Sequence, residues 1–279
     1  MRTVTAIAAL SISAGSAFGA LLHSNGPFIT NPTGGTGGIA GQPISQSDGY
    51  NIPGSQFLFS TSGVGATVLA NTAVAEDFTV PAGGWDLDTL TVYAFQTSQT
   101  AASVTQVHVN LWTDTPYSAG SPDAPPVLPQ PVLAQSLVLT AGTGTFICHR
   151  QSPTGTSTVR PVFAYTVSLN DLPNAGVLSE GRYWIQWSFL GATSPSQNVF
   201  TPLVTPRTAV TGHNARLLNS IDGSATGPRV WFEGREGFVA GVQDGRAYEL
   251  PFELGGSAVP APAAALPLGA LALGLRRRR

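Results

Sequence analysis

The chain has 279 residues, only 10% of them charged, and contains no lysine. Its 13 basic side chains are all arginine, and five of these lie at Arg2 and Arg276–Arg279, whereas all 15 acidic residues lie between. The region between the ends therefore sets eight arginines against 15 carboxylates, a net charge of −7, which excludes the basic footprint that nucleic-acid binding requires. The 32 glycines and 22 prolines, with abundant Thr, Ser and Val, point to strands and turns rather than helices.

At the N-terminus, Arg2, the apolar run from Val4 to Ile12 and the small residues ending Ala17-Phe18-Gly19-Ala20 are the parts of a secretory signal peptide. Cleavage after Gly19 is expected, because Ala17 and Gly19 then fill the two positions that must be small. Residues 1–19 are thus expected to be a leader removed by signal peptidase; a buried N-terminal strand is the competing reading. Residues 20–50 are rich in Gly, Pro, Ser and Asn, including Gly34-Gly35-Thr36-Gly37-Gly38. They read as irregular surface chain or an edge-capping segment.

Residues 51–256 are expected to form one β domain. Strand-like runs recur at Gln56–Thr61, Ala73–Val80, Leu87–Gln96, Val104–Thr113, Val132–Leu139, Thr145–His149, Val162–Leu169, Arg182–Leu190, Arg229–Glu233 and Ala247–Leu254. Short strands separated by Gly, Pro and Asp predict an all-β fold, an antiparallel β-sandwich with jelly-roll-like topology. The Pro-rich stretch Thr115 to Pro131 cannot be a central strand and is expected to cross one end of the sandwich. Gly191 to Gly227 is weakly patterned, with room for an extra hairpin around Val199 to Val204. The blocks Glu76-Asp77-Phe78-Thr79-Val80-Pro81 with Gly84-Trp85-Asp86-Leu87, and Leu178 to Ile185, resemble β-sandwich modules of exported bacterial surface proteins. That resemblance implies a fold type and no activity.

At the C-terminus, Ala263 to Leu275 is rich in Ala, Leu and Gly and ends on Arg276, Arg277, Arg278 and Arg279. As a short hydrophobic helix it would rise about 20 Å, less than the roughly 30 Å hydrocarbon core of a bilayer. The arginines would hold it on the cytoplasmic side. The order Val259-Pro260-Ala261-Pro262, apolar segment, arginine cluster resembles the PEP-CTERM sorting signal, with Ala261 where that signal carries Glu. The resemblance implies an exosortase-like enzyme acting on residues 257–279 after export, with transient membrane anchoring. A simple C-terminal anchor is the alternative.

Period-2 alternation divides the strands into faces. Tyr183, Ile185, Trp187 and Phe189 share the core face of one strand, as do Val107, Val109 and Leu111 of another. The opposite faces carry Trp184 and Gln186, then His108, Asn110 and Trp112, then Trp231 between Arg229 and Glu233. An indole beside amide and imidazole groups is what a sugar ring needs, so Trp112, Trp184, Trp231, His108, Asn110 and Gln186 are the candidate ligand-binding residues. If they bind polysaccharide, the indoles should be exposed on one sheet face; burial under a loop is the competing reading.

Catalytic motifs are missing from the sequence. There is no Gly-x-Ser-x-Gly, no His-Glu-x-x-His, no phosphate loop and no cysteine pair for zinc. Cys148 is the single cysteine and reads as a buried inert thiol. No cofactor is expected: Glu76-Asp77 and Asp86 with Asp88 lack Ca²⁺-loop spacing and read as solvated turn residues. The function expected is therefore an exported, envelope-sorted, non-catalytic surface or extracellular-matrix protein with a glycan-binding face as its sharper form. The alternative is a secreted carbohydrate-active hydrolase using Glu233, or Glu249 and Glu253.

Overall fold

The computed structural model describes residues 19–34, 40–46, 50–51, 58–59, 63–96, 99–117, 132–141, 143–151, 160–172, 177–191, 199–204, 215–220, 229–234 and 247–260. The expected leader up to residue 18, most of Gln56–Thr61, residues 118–131 and the tail from residue 261 lie outside them. Within the described residues the fold is all-β, and a 3-10 turn at Val68–Ala70 is the one helical element.

One large sheet runs in the order β1 (Ala20–Ser24), β17 (Phe252–Ala258), β7 (Trp85–Ala94), β11 (Pro161–Ser168), β10 (Thr145–Gln151) and β2 (Ile44–Gln46). The two-residue β12 (Val177–Leu178) pairs with the start of β7. The other runs β16 (Arg229–Glu233), β15 (Arg216–Ser220), β6 (Ala73–Val80), β13 (Gly181–Gly191), β8 (Val104–Trp112) and β9 (Val132–Thr140). Two small ribbons complete it: β5 (Val64–Gly65) with β14 (Phe200–Thr201), and β3 (Tyr50–Asn51) with β4 (Leu58–Phe59). Pairing within the two large sheets is antiparallel except for β2 with β10, which is parallel, with Ile44 opposite His149.

The two sheets share one core because alternate residues of each turn toward it. Val107, Val109 and Leu111 of β8 and Tyr183, Ile185, Trp187 and Phe189 of β13 pack with Leu90 and Val92 of β7 and Phe252 and Leu254 of β17. Aromatic contacts tie the layers together. Trp187 lies 5.8 Å from Phe252, and Phe78 of β6 stacks on Trp85 of β7 at 6.2 Å with an interplanar angle of 3°. Ring pairs at such spacings add about 0.5–1.5 kcal/mol each beyond the area they bury.

β17 sits between β1 and β7, and it closes there by an irregularity at Gly255/Gly256. A Cβ on Gly256 would collide with the Asp86 carbonyl oxygen and reach to 3.0 Å from Leu22 Cδ1. Gly256→Ala is therefore expected to lower stability by about 1–3 kcal/mol through overpacking, measured as a shift in the urea midpoint. An unchanged midpoint would show that the three strands are not held this closely.

β6 and β16 match the sequence expectation at both ends, and β7 to β11 and β13 match within a few residues. Two expectations are corrected and a third is narrowed. The run Ala247–Leu254 begins as a strand only at Phe252, because Pro251 has no N–H for the ladder, and it continues through the glycine pair. Of the two readings of residues 20–50, the edge-capping one fits the described part: β1 and β2 form the two edges of the large sheet, anchored by Leu22 against the core and by buried Ile44. Among the described residues near Val199 to Val204 the pairing seen is not a local hairpin: Phe200 pairs with Gly65, far away in sequence.

Candidate functional site

The six-stranded sheet gathers the three tryptophans on its outer face, as alternation predicts. Trp184 is in register with Trp112, and Ala73 and Ala75 of β6 lie on the same face beside them. These two alanines leave room for the indoles to lie across the sheet. Trp112 and Trp231 meet edge to face at 6.2 Å and 84°, and the cluster is completed by Leu218.

The exposure required of a sugar platform is not found. Trp112, Trp184 and Trp231 keep 8%, 1% and 4% of their surface, so no indole face is open to a ring. The polar neighbours are turned inward as well. Gln186 Oε1 accepts hydrogen bonds from Asn110 Nδ2 and from Trp112 Nε1, both at 3.0 Å. His108 is half-buried opposite Ser188, and burial lowers its imidazole pKa. The three tryptophans form an apolar cluster with Ala73, Ala75 and Leu218, edged by the Asn110–Gln186–Trp112 hydrogen bonds. Their polar sequence context reflects that bonding.

Of the sorting residues, Val259 and Pro260 are described, and the Val259 N–H donates to Gly84 O at 2.9 Å just beyond β17. Pro262 and Arg276 to Arg279 lie outside the described residues. Cys148 is buried beside Phe28, Tyr93, Phe95 and Val162, and burial pushes its thiol up to about 12, so it stays protonated at neutral pH.

Glu76 and Asp77 are not turn residues; they lie inside β6 and are buried. Glu76 occupies a core-facing position between Val74 and Phe78. Its Oε1 accepts the Leu250 N–H at 2.6 Å, and the Glu249 carboxyl is its acidic neighbour. Asn25 Nδ2 donates to Glu249 Oε2 at 3.1 Å and to Leu250 O at 3.0 Å. Burial first, then the neighbouring negative charge, holds the Glu76 carboxyl well above the usual range. Burial pushes Glu249 up to about 7. Sequence reading missed this buried carboxylate pair because Glu76-Asp77 looks like a solvated acidic turn. Among the described residues no group of three His, Cys, Asp or Glu side chains is placed to hold a metal.

The residues that sequence reasoning did not gather lie on the outer face of the seven-stranded sheet. Glu253 of β17 and Thr166 of β11 are both in register with Thr91 of β7, and the Thr91 and Thr166 hydroxyls are 2.8 Å apart. Tyr93, two residues along β7, donates its phenol O–H to Glu253 Oε1 at 2.9 Å and packs against Phe28 at 4.6 Å. Burial, and then the Glu253 charge, raises the Tyr93 pKa, so the phenol remains the donor. Two depressions, of about 430 and 210 Å³, meet at Glu253. The alternation Thr89, Thr91, Tyr93 carried this face, but nothing in the sequence says that β17 and β11 flank it.

No protein-family model matches the chain, and a comparison with curated proteins finds no match.

Proposed function

We propose that the protein is an exported, envelope-sorted, non-catalytic surface or extracellular-matrix module carried on a jelly-roll-like body. The observation that supports this most is the pairing of β1 with β17. β1 opens at Ala20, the first residue after the expected leader, and Ala20 stands opposite Gly256. β17 closes at Ala258, immediately before the Val-Pro-x-Pro segment. The two expected processing borders thus lie on neighbouring strands, with Ser257 and Ala258 of the expected tail still paired with β7. The strand order β1-β17-β7-β11 facing β6-β13-β8-β9 supports the jelly-roll part of the reading. Low charge and absence of lysine suit a densely packed surface component.

The test is expression of the chain in an exosortase-bearing bacterium, followed by fractionation and intact-mass measurement. The expected product begins at Ala20, lacks Arg276–Arg279 and is found in the envelope or medium. Deleting residues 259–279 should move it wholly into the medium. Recovery of the full 279-residue polypeptide from soluble cytosol overturns the proposal. A mature N-terminus with the tail retained in membranes would select the simple anchor instead.

A further inference from the structure

The trough on the outer face of the seven-stranded sheet has the chemistry of a binding site. Its two depressions share Glu253 and run along β7 from Thr89 to Tyr93, about 13 Å at strand rise. Their larger volume, about 430 Å³, falls in the range that holds a small ligand or a few rings of a longer one. The two ends differ. Around Tyr93 the walls are mainly apolar, from Pro27, Ile29 and Ile147; toward Thr89 the hydroxyls of Thr89, Thr91 and Thr166 stand beside the exposed Leu21.

Glu253 stands between the two ends, and it is the one charged side chain among the described residues that line either part. The Tyr93 phenol fixes the carboxylate through one oxygen. A carboxylate has about four lone-pair directions, so most of its accepting capacity stays available to a ligand's O–H groups. The threonine hydroxyls can both donate and accept. A ligand that offers many hydroxyls, presents an apolar C–H face and carries no negative charge satisfies every wall. A polyanion does not, because it meets Glu253 without a compensating cation.

We propose that this trough binds a neutral polysaccharide chain, with sugar hydroxyls hydrogen-bonded to Glu253, Thr91 and Thr166 and the C–H faces against Ile29 and Ile147. The proposal deepens the surface-module reading and rests on it, since such a polymer is met outside the cell. It moves recognition from the buried tryptophan cluster to the opposite sheet.

Binding is measured by titration calorimetry on the purified full chain, with cellohexaose, maltohexaose and mannohexaose as neutral probes and polygalacturonate as the charged one. At least one neutral probe is expected to bind, and Glu253→Gln to weaken it about tenfold, the loss of a charge-assisted hydrogen bond. Thr91→Val keeps the shape and strand preference of the side chain, so it serves where the first variant melts early; it should weaken binding severalfold with an unchanged melting temperature. Binding left intact in both variants, binding of polygalacturonate alone, or no binding of the neutral probes overturns the proposal. Because the measurement is made in vitro, its failure leaves the export reading standing, and mislocalisation in cells leaves the binding result standing.

Discussion

Replacing Trp187 with alanine is expected to lower the unfolding free energy by about 3–5 kcal/mol, the range for deleting a buried large aromatic. Against a usual total of roughly 5–15 kcal/mol, that is a large share of the whole. Trp187 is fully buried at the centre of β13, and its ring reaches Phe252 of the facing sheet. The deletion therefore opens a cavity between layers, where neither sheet can collapse without the other. Its indole N–H is buried without a hydrogen-bond partner. Trp187→Phe removes that donor along with some volume, so it should cost clearly less than the alanine change. Urea unfolding followed by circular dichroism separates the two. Equal losses, or a loss under about 1 kcal/mol for alanine, would show that the ring does not join the layers.

The second large effect is a dependence of stability on pH. Glu76 and Glu249 both bind protons more tightly in the folded chain than their ordinary value of 4.5, and Glu249 is pushed up to about 7. The folded state then holds more protons than the unfolded one between those values, so stability falls as pH rises. The contribution is fully present below about pH 4.5 and is lost as pH passes through about 7. Glu76→Gln tests the cause directly. The amide oxygen can accept the Leu250 N–H and the amide nitrogen can donate to Glu249, as a protonated carboxyl does. The variant should be more stable than the parent at pH 8 and show a flatter profile between pH 5 and 8, by denaturant titration at each pH. A variant as pH-sensitive as the parent would place the titration elsewhere.

Much of the architecture was legible because it rests on local pattern. β8 and β13 alternate cleanly, so their core faces and the shared face of three tryptophans followed from residue order. The burial of that face did not follow. A tryptophan between Arg182 and Gln186 looks like a surface residue, and only the register, which brings Ala73 and Ala75 beneath the indoles, shows that they pack on one another. Gln186 was misleading for the same reason: an amide that satisfies Asn110 and Trp112 has the same one-letter code as one awaiting ligand. Edge strands β1 and β2 were illegible because short edges are held by main-chain bonds, which leave little side-chain pattern. The Glu253 trough is assembled from β7, β11 and β17, segments whose adjacency exists only in the folded sheet.

The partnership of the first and last strands has a kinetic consequence. β1 lies at the border of its sheet and has β17 as its one large-sheet neighbour, so it has no ladder to join until nearly the whole body has been made. A polypeptide emerging N-terminus first would carry Ala20 to Ser24 as an unpaired ribbon throughout elongation. Such long-range closure is slow. The sheet stays unsealed on that side until the seven residues of β17 have been made.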